Sequence, residues 1–272
     1  MSMQCTFTTP QFEKSAIGIA RFLRPIAALV LAGSLAFASS VQAQTYKVGT
    51  TTSGMPFTFL ELGSEKIQGF IPDLMQALAD EQNFTFELVP SRFDSLIPAI
   101  GAGKIQIIAA PMYITEERQK IVDFTHTIYT YGEGLLQKAG DKTDYRSLDD
   151  LKGKVVGVET GTTFIEILQK RGDIKEIKTY GSSADLMRDV ALGRADVGLW
   201  DAPILAFQLK KDVNTKLKLA PDYTAQMSGS IGFSVKNGNG EVLKKLDDGL
   251  DALKKDGRLN ALLKKCESPR IL

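Results

Sequence analysis

Short apolar runs alternate with amphipathic segments of helical period along this chain from residue 46 onward. Apolar runs bounded by turn residues are typical of buried strands, and apolar positions three or four residues apart are typical of helices that pack on a sheet. The pattern therefore predicts an α/β protein. The predicted strands are 46–50, 85–89, 105–109, 155–158, 176–179 and 197–200, and the predicted helices are 72–81, 93–100, 116–122, 148–152, 163–170, 185–192 and 203–210.

Two extended segments interrupt this alternation, at residues 127–138 and 229–236. A turn of Asn and Gly residues follows the second segment, and a long helix with leucines three or four residues apart comes after it. Two lobes joined by two crossing strands explain this order. The first lobe is expected from residues 44–131 and 230–272, and the second from residues 132–229.

The N-terminal segment has the order of an export signal. Arg21 and Arg24 precede an apolar run, residues 26–38, which is shorter than a membrane span needs. Small residues up to Ala43 suit signal peptidase, which predicts Gln44 as the first residue of the mature chain. A buried N-terminal helix is the alternative. No cysteine follows the apolar run where a lipoprotein signal requires one, so the mature chain is expected to be soluble in a Gram-negative periplasm.

Charge and cysteine content exclude several partners. Removing three basic residues and one acidic residue with the signal changes 33 Lys and Arg and 32 Asp and Glu to 30 and 31. This balance gives no support for binding nucleic acid or a membrane surface. Cys5 leaves with the signal, so Cys266 has no disulfide partner and is expected to fill apolar space. The one histidine, His126, has no neighbouring cluster that suits a metal.

Three separated stretches carry residues suited to a small zwitterion. Arg118 is a permanent cation whose planar fork of donors matches a carboxylate. Gly161, Thr162 and Thr163 lie between a predicted strand and a predicted helix, where free main-chain N–H groups can hold the same anion. Asp201 ends another predicted strand and offers a negative charge to an ammonium group.

Ordinary structural roles are the alternatives for the same residues. Arg118 could be a solvated residue of a surface helix, Thr162 a capping residue, and Asp201 the N-cap of a helix with an early proline. Trp200 precedes Asp201, and strand alternation should point the two side chains in opposite directions. Trp200 is therefore predicted to lie in the core of a lobe and not in the pocket.

Eight short motifs in a fixed order carry a family resemblance over nearly the whole mature chain. They are Pro56-Phe57-Thr58-Phe59, Gly69-Phe70-Ile71-Pro72-Asp73-Leu74, Phe93-Asp94-Ser95-Leu96-Ile97-Pro98, Ile114-Thr115-Glu116-Glu117-Arg118, Asp150-Leu151-Lys152-Gly153-Lys154-Val155-Val156-Gly157-Val158, Gly161-Thr162-Thr163, Gly193-Arg194-Ala195-Asp196 and Lys255-Asp256-Gly257-Arg258-Leu259. On these motifs the chain resembles the periplasmic polar-amino-acid-binding proteins of ABC importers, family 3 of the bacterial extracellular solute-binding proteins.

The resemblance implies a fold and a function. The fold is the two-lobed periplasmic-binding-protein-like fold of type II, with two hinge crossings. The function is that of a monomeric receptor without a cofactor or metal, which captures an amino acid or an amino-acid derivative between two closing lobes. An ABC permease is the implied protein partner, to which the receptor delivers its solute.

The resemblance also assigns a role to each charged or polar site residue. Arg118 is implied as the carboxylate clamp, the Thr163 N–H as a second donor to that carboxylate, and Asp201 as an acceptor for the ammonium. The Pro111 carbonyl and the Tyr113 hydroxyl match the remaining ammonium acceptors, although a serine or threonine is usual at the tyrosine position.

The far end of the site departs from the family pattern. Phe93 matches an aromatic wall of the cleft, and a core position is an equal alternative. Thr51 and Gly54 stand where relatives often have an acid and an aromatic residue, which predicts a wider pocket there. Glu159 is predicted to contact a cationic or hydrogen-bond-donating tail of the solute, unless it pairs with Arg92 and latches the closed lobes.

Two other functions compete with solute delivery. Some periplasmic dehydratases that act on prephenate or arogenate resemble these binding proteins, and their acid catalyst lies three residues after the aspartate that matches Asp201. Ile204 stands at that place and cannot transfer a proton, which argues against an enzyme. A sensor module is the other competitor, and it would have to act through a separate protein.

Overall fold

Two large β-sheets and one small one make up the computed structural model of this protein, which describes residues 43–61, 63–212 and 215–267. The predicted export signal lies outside the described residues except for Ala43, and so does the side chain of Cys266. No helix in the described part of the chain is long and apolar enough to span a membrane. The strands are β1 (Thr45–Thr50), β2 (Ser53–Gly54), β3 (Thr58–Glu61), β4 (Lys66–Gln68), β5 (Thr85–Pro90), β6 (Ile107–Ile108), β7 (Val122–Phe124), β8 (Tyr129–Lys138), β9 (Val155–Glu159), β10 (Glu176–Tyr180), β11 (Val197–Asp201), β12 (Leu217–Leu219), β13 (Ser228–Ile231) and β14 (Ser234–Lys236). The α-helices are α1 (Phe70–Gln82), α2 (Leu96–Gly101), α3 (Glu116–Gln119), α4 (Thr163–Arg171), α5 (Ser183–Leu192), α6 (Ala202–Lys211), α7 (Gly240–Lys255) and α8 (Arg258–Glu267).

The first large sheet has the strand order β5-β1-β6-β14-β7. β1 lies parallel to β5 and β6, whereas β14 is antiparallel to β6 and β7. Parallel neighbours need crossover connections, and α1 supplies the one between β1 and β5. α1 also packs against α7, where a Cβ at Gly249 would lie 2.8 Å from the Leu78 side chain. A residue without a side chain at this point therefore allows the two helices to approach closely.

The second large sheet has the strand order β10-β9-β11-β8-β12, and β13 pairs with another part of β8. β9, β10 and β11 are parallel, and β8 runs antiparallel to β11 and β12. All five residues of β11 are buried, and α5 and α6 contact the strand. Trp200 is 2% exposed and lies in the hydrophobic core, which confirms the prediction from strand alternation.

The chain crosses between the two large sheets twice, at the extended segments that the sequence predicted. β8 follows β7 of the first sheet and enters the second sheet, and β13 leads back from the second sheet to β14 of the first. The two crossings are paired side by side, with Gly229 opposite Tyr131. The predicted lobe boundary at residue 131 therefore falls inside β8.

Side-chain caps fix several helix starts. Thr115 accepts a hydrogen bond from the Arg118 N–H at 3.2 Å at the start of α3, and Ser182 accepts from the Asp185 N–H at 3.2 Å at the start of α5. α5 ends at Leu192, and Gly193 caps its C-terminus with a φ of 74°, in the left-handed region that favours glycine. The capping residues Thr115, Ser182 and Gly193 therefore determine where α3 begins and where α5 begins and ends.

Several elements differ from the prediction. The predicted helix 116–122 ends at Gln119 as α3, and Val122 begins the strand β7 because β-branched and aromatic residues there pair with β14. The predicted helix 93–100 is a 3₁₀ turn, Phe93–Ser95, followed by α2, and the predicted helix 148–152 is a 3₁₀ helix, Leu148–Leu151. The predicted strand 105–109 is reduced to the two residues of β6. The strands β2, β3, β4 and β12 were not predicted.

Candidate functional site

Arg118 bridges the two large sheets through a buried guanidinium, and the residue is 9% exposed. Its Nη1 donates to the Tyr113 carbonyl at 2.8 Å, on the side of the first sheet. Its Nη2 donates to the Gly161 carbonyl at 3.2 Å, in the loop after β9 of the second sheet. Burial lowers the pKa of Arg118, and the negative charge of Asp201 opposes this shift. An arginine nevertheless stays charged in a protein.

The charge of this guanidinium has no direct ion-pair partner in the part of the chain that the structure describes. Among the described residues, no carboxylate oxygen lies within 4.0 Å of its nitrogens. Its two hydrogen-bond acceptors are neutral carbonyls, and an arginine carries five N–H donors. The remaining donors can therefore bind an anion without breaking either contact.

Phe93 lies beside this guanidinium, with 5.5 Å between the Arg118 Cζ and the ring centroid. That distance is within the range of a cation–π contact. The residue is 8% exposed and belongs to a buried apolar cluster that also contains Leu96 and Ile100. Phe93 is therefore a core residue that also faces the guanidinium, so the two predicted alternatives are compatible.

The turn before α4 presents main-chain N–H groups. Gly161 has a φ of 84°, and a Cβ at this position would lie 2.9 Å from the Cα of Asp94, so glycine is needed here. Thr162 is the N-cap residue of α4, but its hydroxyl donates to the Glu159 carbonyl at 2.8 Å. No side chain of the described residues caps α4, which leaves the first N–H groups of the helix, including that of Thr163, for an anion.

Asp201 is a buried acid at the end of β11, 7% exposed. Its Oδ2 accepts a hydrogen bond from the Tyr131 hydroxyl at 2.8 Å, and the same hydroxyl lies 3.3 Å from the Pro111 carbonyl. Burial raises the pKa of Asp201 to about 7, against the Tyr131 hydrogen bond and the Arg118 charge, which lower it. Asp201 also stands at the N-cap position of α6 but makes no capping hydrogen bond.

Two tyrosines adjoin this acid, and sequence reasoning named only one of them. The hydroxyl of Tyr113, predicted as an ammonium acceptor, donates to the main-chain carbonyl of Tyr131 at 3.2 Å. The two rings lie 5.2 Å apart. The Tyr131 hydroxyl, which was not predicted, lies between the Asp201 carboxylate and the Pro111 carbonyl. Alternation along β8 places Tyr131 and Glu133 on the same face of the strand. Predicting Tyr131 as a site residue also required knowing that β8 pairs with β11.

Glu159 lies half-buried at the end of β9. Burial and the negative charges of Asp201 and Asp94 raise the pKa of Glu159 well above its ordinary value. Arg92 pairs with Asp94, with 3.2 Å from Nε to Oδ1 and 3.0 Å from Nη2 to Oδ2. The alternative latch between Arg92 and Glu159 is therefore not formed in this structure.

Gly54 packs beside Ile204 and Pro111, and the wider pocket at this end of the site stays a prediction. A Cβ at this residue would lie 3.4 Å from the Ile204 Cδ1 and 3.8 Å from the Pro111 Cγ. These are ordinary van der Waals distances. Thr51 is 4% exposed, and its hydroxyl shares a hydrogen bond of 2.7 Å with the Thr58 hydroxyl.

A cavity of about 320 Å³ extends from this end of the site. Thr51 and Phe93 belong both to its lining and to the predicted site. The rest of the lining is mostly polar and comes from connections of both large sheets: Thr52, Ser53, Pro90, Ser91, Arg92, Gly181 and Ser182. The cavity gives room for a solute that is longer than its zwitterionic head.

The described residues contain no group of three or more His, Cys, Asp and Glu side chains that could hold a metal ion. The His126 side chain is more than half exposed, and its Nδ1 lies 3.2 Å from an Asp251 carboxylate oxygen.

Comparison with known proteins places these features in a wider set. The model of one family, described as bacterial extracellular solute-binding proteins, family 3, matches residues 46–266. The putative ABC transporter arginine-binding protein 2 of Escherichia coli (strain K12) is 35% identical over 244 residues, which cover 88% of this chain and 96% of that protein. The probable amino-acid-binding protein YxeM of Bacillus subtilis (strain 168) is 32% identical over 220 residues, which cover 80% of this chain and 82% of that protein.

Solved structures agree with the sequence comparisons. An ancestral arginine-binding protein bound to arginine has a TM-score of 0.76 and 32% identity, and covers 82% of this chain and 98% of its own. An ancestral arginine-binding protein bound to glutamine has the same TM-score and identity, and covers 82% of this chain and 97% of its own.

Proposed function

This chain belongs to the bacterial extracellular solute-binding proteins, family 3, and on that premise we propose that it captures an amino acid or an amino-acid derivative and delivers it to an ABC permease. Its fold is the two-lobed fold of the periplasmic binding proteins. Its relatives are binding proteins and not enzymes, and members of its family are extracellular or periplasmic.

The observation that carries the proposal is the buried guanidinium of Arg118, which has no carboxylate partner among the described residues. An uncompensated charge is costly inside a protein, and the first N–H groups of α4 add positive potential beside it. A solute carboxylate satisfies both, with Arg118 as the clamp and Thr163 as the main-chain donor. The buried carboxylate of Asp201 then serves as the counter-charge for the solute ammonium. The pocket thus matches the charges of a zwitterion.

Replacing Arg118 with Met tests this proposal. L-arginine and L-glutamine serve as probes, and isothermal titration calorimetry on protein freed of bound solute by unfolding and refolding gives the affinities. We expect the variant to lose roughly 100-fold or more in affinity, because it loses charge-assisted hydrogen bonds in a buried site. Arg146→Met, at an exposed arginine whose side chain is 73% accessible, is the matched control and should bind as the wild type does. An Arg118→Met protein that folds and keeps its affinity would overturn the proposal.

The solute's tail is proposed to be cationic or hydrogen-bond-donating. The negative charges of Asp201 and Asp94 are close enough to Glu159 to raise its pKa, in addition to the effect of burial. A positive tail would relieve this repulsion, and the cavity next to Thr51 and Phe93 has room for it. The names of relatives support the same class: the ABC transporter arginine-binding protein 1 and the putative ABC transporter arginine-binding protein 2, both of Escherichia coli (strain K12).

A ligand panel on Glu159→Gln tests the tail. L-arginine and L-lysine should lose about tenfold or more in affinity, because the variant removes the negative charge at this place. L-glutamine, whose tail is neutral, should change by less than about threefold. An equal loss for all three ligands would contradict the proposed contact and would indicate a structural role for Glu159.

Further proposals concern the lobes and the place of action. The first lobe is proposed to comprise residues 44–131 and 230–272, and the second residues 132–229. The mature protein is proposed to begin at Gln44, to act as a periplasmic monomer without a cofactor or nucleic-acid partner, and to have no dehydratase activity, since Ile204 is apolar and buried. Intact-mass analysis of a periplasmic fraction tests the N-terminus, and turnover assays with prephenate and arogenate test the last point.

A further inference from the structure

The hydroxyl of Tyr131 connects the two groups that were predicted to hold the solute's ammonium. It lies 2.8 Å from the Asp201 Oδ2 and 3.3 Å from the Pro111 carbonyl oxygen. Pro111 follows β6 of the first large sheet, whereas Asp201 ends β11 of the second. Tyr131 itself lies on β8, the strand by which the chain enters the second sheet. Its phenol therefore lies in the part of the proposed site that would hold the solute's ammonium group.

The direction of these hydrogen bonds leaves an acceptor at the phenol oxygen. A phenol has one proton, and both the ionised carboxylate and the carbonyl can only accept. The shorter contact and the charge favour donation to Asp201. The lone pairs of the Tyr131 oxygen then remain, together with Oδ1 of Asp201 and the carbonyl of Pro111. These are three acceptors, the number that a primary ammonium needs.

The side chain of Tyr131 is held in place on several sides. The residue is 8% exposed, and its ring stacks on Phe57 with 5.6 Å between centroids and 27° between planes. The Tyr113 ring lies 5.2 Å away, and the Tyr113 hydroxyl donates to the Tyr131 carbonyl. The Tyr113 proton is thus committed to the main chain of β8, and Tyr113 supports its neighbour.

Resting on the proposed function, we propose that Tyr131 is a specificity-determining residue that recognises the ammonium group of the solute. Its oxygen accepts one ammonium N–H while its proton stays on Asp201. Asp201 Oδ1 and the Pro111 carbonyl accept the other two. Tyr131 thereby takes the role that the family resemblance assigned to the hydroxyl at Tyr113. A solute that lacks the amino group leaves this acceptor unused.

Tyr131→Phe separates this role from a structural one when two kinds of solute are compared. L-arginine and L-glutamine carry the ammonium, and 5-guanidinopentanoate and glutaramate are the same molecules without it. We expect the variant to lose roughly 10- to 100-fold in affinity for the amino acids, the size typical of a hydrogen bond to a charged group. Affinity for the two deaminated acids, measured by direct titration at millimolar concentration, should change by less than about twofold.

Tyr129→Phe is the matched control, because it makes the same change two residues earlier on the same strand, and it should leave all affinities unchanged. Melting curves of the solute-free variants test the fold. The inference is overturned if Tyr131→Phe binds the amino acids as well as or better than the wild type, since the phenol would then be idle or would compete with the ammonium. It is also overturned if both kinds of solute lose affinity equally. A wild-type protein that binds no amino acid would instead refute the proposed function.

Discussion

At the scale of single residues, the site is a set of charges that are costly without a solute. Arg118 is buried without a carboxylate partner among the described residues, and Asp201 is buried with one hydroxyl donor. Each charge lowers the cost of the other only over a distance, since they form no ion pair. A zwitterion supplies one opposite charge to each, so the site is preorganised for binding but not for stability.

Lowering the pH from about 8 to about 5.5 is expected to weaken the binding of L-glutamine, whose neutral tail does not depend on the charge of Glu159. Burial raises the pKa of Asp201 to about 7, so below pH 7 the carboxyl is increasingly protonated and must lose its proton before an ammonium binds. The dissociation constant should rise on the order of tenfold for each pH unit below 7. Calorimetry over this range provides the measurement.

Two variants assign this pH dependence to a residue. Asp201→Asn should bind weakly at every pH, with a flat profile. Glu159→Gln, which removes the other acid with a raised pKa, should keep the slope. A flat profile for the wild type would mean that Asp201 does not hold the ammonium.

The same carboxyl has the opposite effect on the stability of the solute-free protein. Its pKa is higher in the folded state than in the unfolded chain, so the folded state binds more protons between about pH 4 and about pH 7. This group therefore stabilises the fold at the acidic end of that range, and the contribution is lost as the pH rises through 7. Asp201→Asn should remove this part of the pH dependence of the free energy of unfolding.

Sequence alone could predict part of the site at this scale. The alternation along β11 correctly placed Trp200 in the core, because a period of two is a local property of the strand. The direction of the Tyr113 hydroxyl and the presence of Tyr131 could not be predicted in this way. Both depend on the antiparallel register that places Asp201 opposite Glu133, which is a contact between residues far apart in the sequence.

At the scale of elements, a buried carboxylate on β8, the first crossing, holds the segment that leads into β13, the second crossing. Glu133 is 1% exposed and accepts hydrogen bonds from the Tyr223 hydroxyl at 2.8 Å, the Gln226 N–H at 2.8 Å and the Met227 N–H at 2.9 Å. Met227 directly precedes β13. This side chain therefore fixes the first crossing strand to the segment that leads into the second.

Replacing Glu133 with Ala should destabilise the protein by about 3 kcal/mol or more, because it leaves two main-chain N–H groups and a hydroxyl without their acceptor. Urea denaturation of the solute-free protein measures the loss. Glu87→Ala, at an exposed glutamate of β5, is the control and should change stability by no more than about 0.5 kcal/mol. A loss below about 1 kcal/mol for Glu133→Ala would show that water replaces the carboxylate at low cost.

Elements with strong local signals were predicted well, and elements that depend on pairing were not. α5 has a capping serine, an apolar stripe and a terminal glycine, and its predicted span differs from the observed one by two residues at its start. β7 is a strand because β14 lies beside it, and β14 comes more than one hundred residues later. The small antiparallel sheet of β2, β3 and β4 lies in a segment without clear periodicity, where pairing between neighbouring strands decides the structure.

At the scale of the whole molecule, hydrogen bonds connect the elements of the second large sheet with those of the first large sheet and of the small sheet. Arg118 donates to the Gly161 carbonyl at 3.2 Å, and the Ser183 hydroxyl donates to the Ser53 carbonyl at 3.0 Å. The sequence predicted two lobes and two crossings from the order of its elements, which the strand order of the sheets matches. It could not predict these contacts, because each depends on the angle between the sheets.

Closure on solute is the last prediction, and it follows from the division of the site between the sheets. Arg118 belongs to the side of the first sheet, and Thr163 and Asp201 belong to the second. A solute that contacts all three stabilises the closed form by interactions that an open form cannot make. A differential affinity of about 5.5 kcal/mol would shift the population from nearly all open to nearly all closed.

Small-angle X-ray scattering measures this shift as a decrease in the radius of gyration of the wild-type protein when L-arginine is added to saturation. Arg118→Met should show no decrease at the same concentration, because it loses the contact from the first sheet, whereas Arg146→Met should contract as the wild type does. If the wild type binds L-arginine in calorimetry but keeps its radius of gyration, the solute-free protein is already closed. Binding would then cause no movement of the lobes, and a permease would have to recognise the loaded receptor by the solute itself.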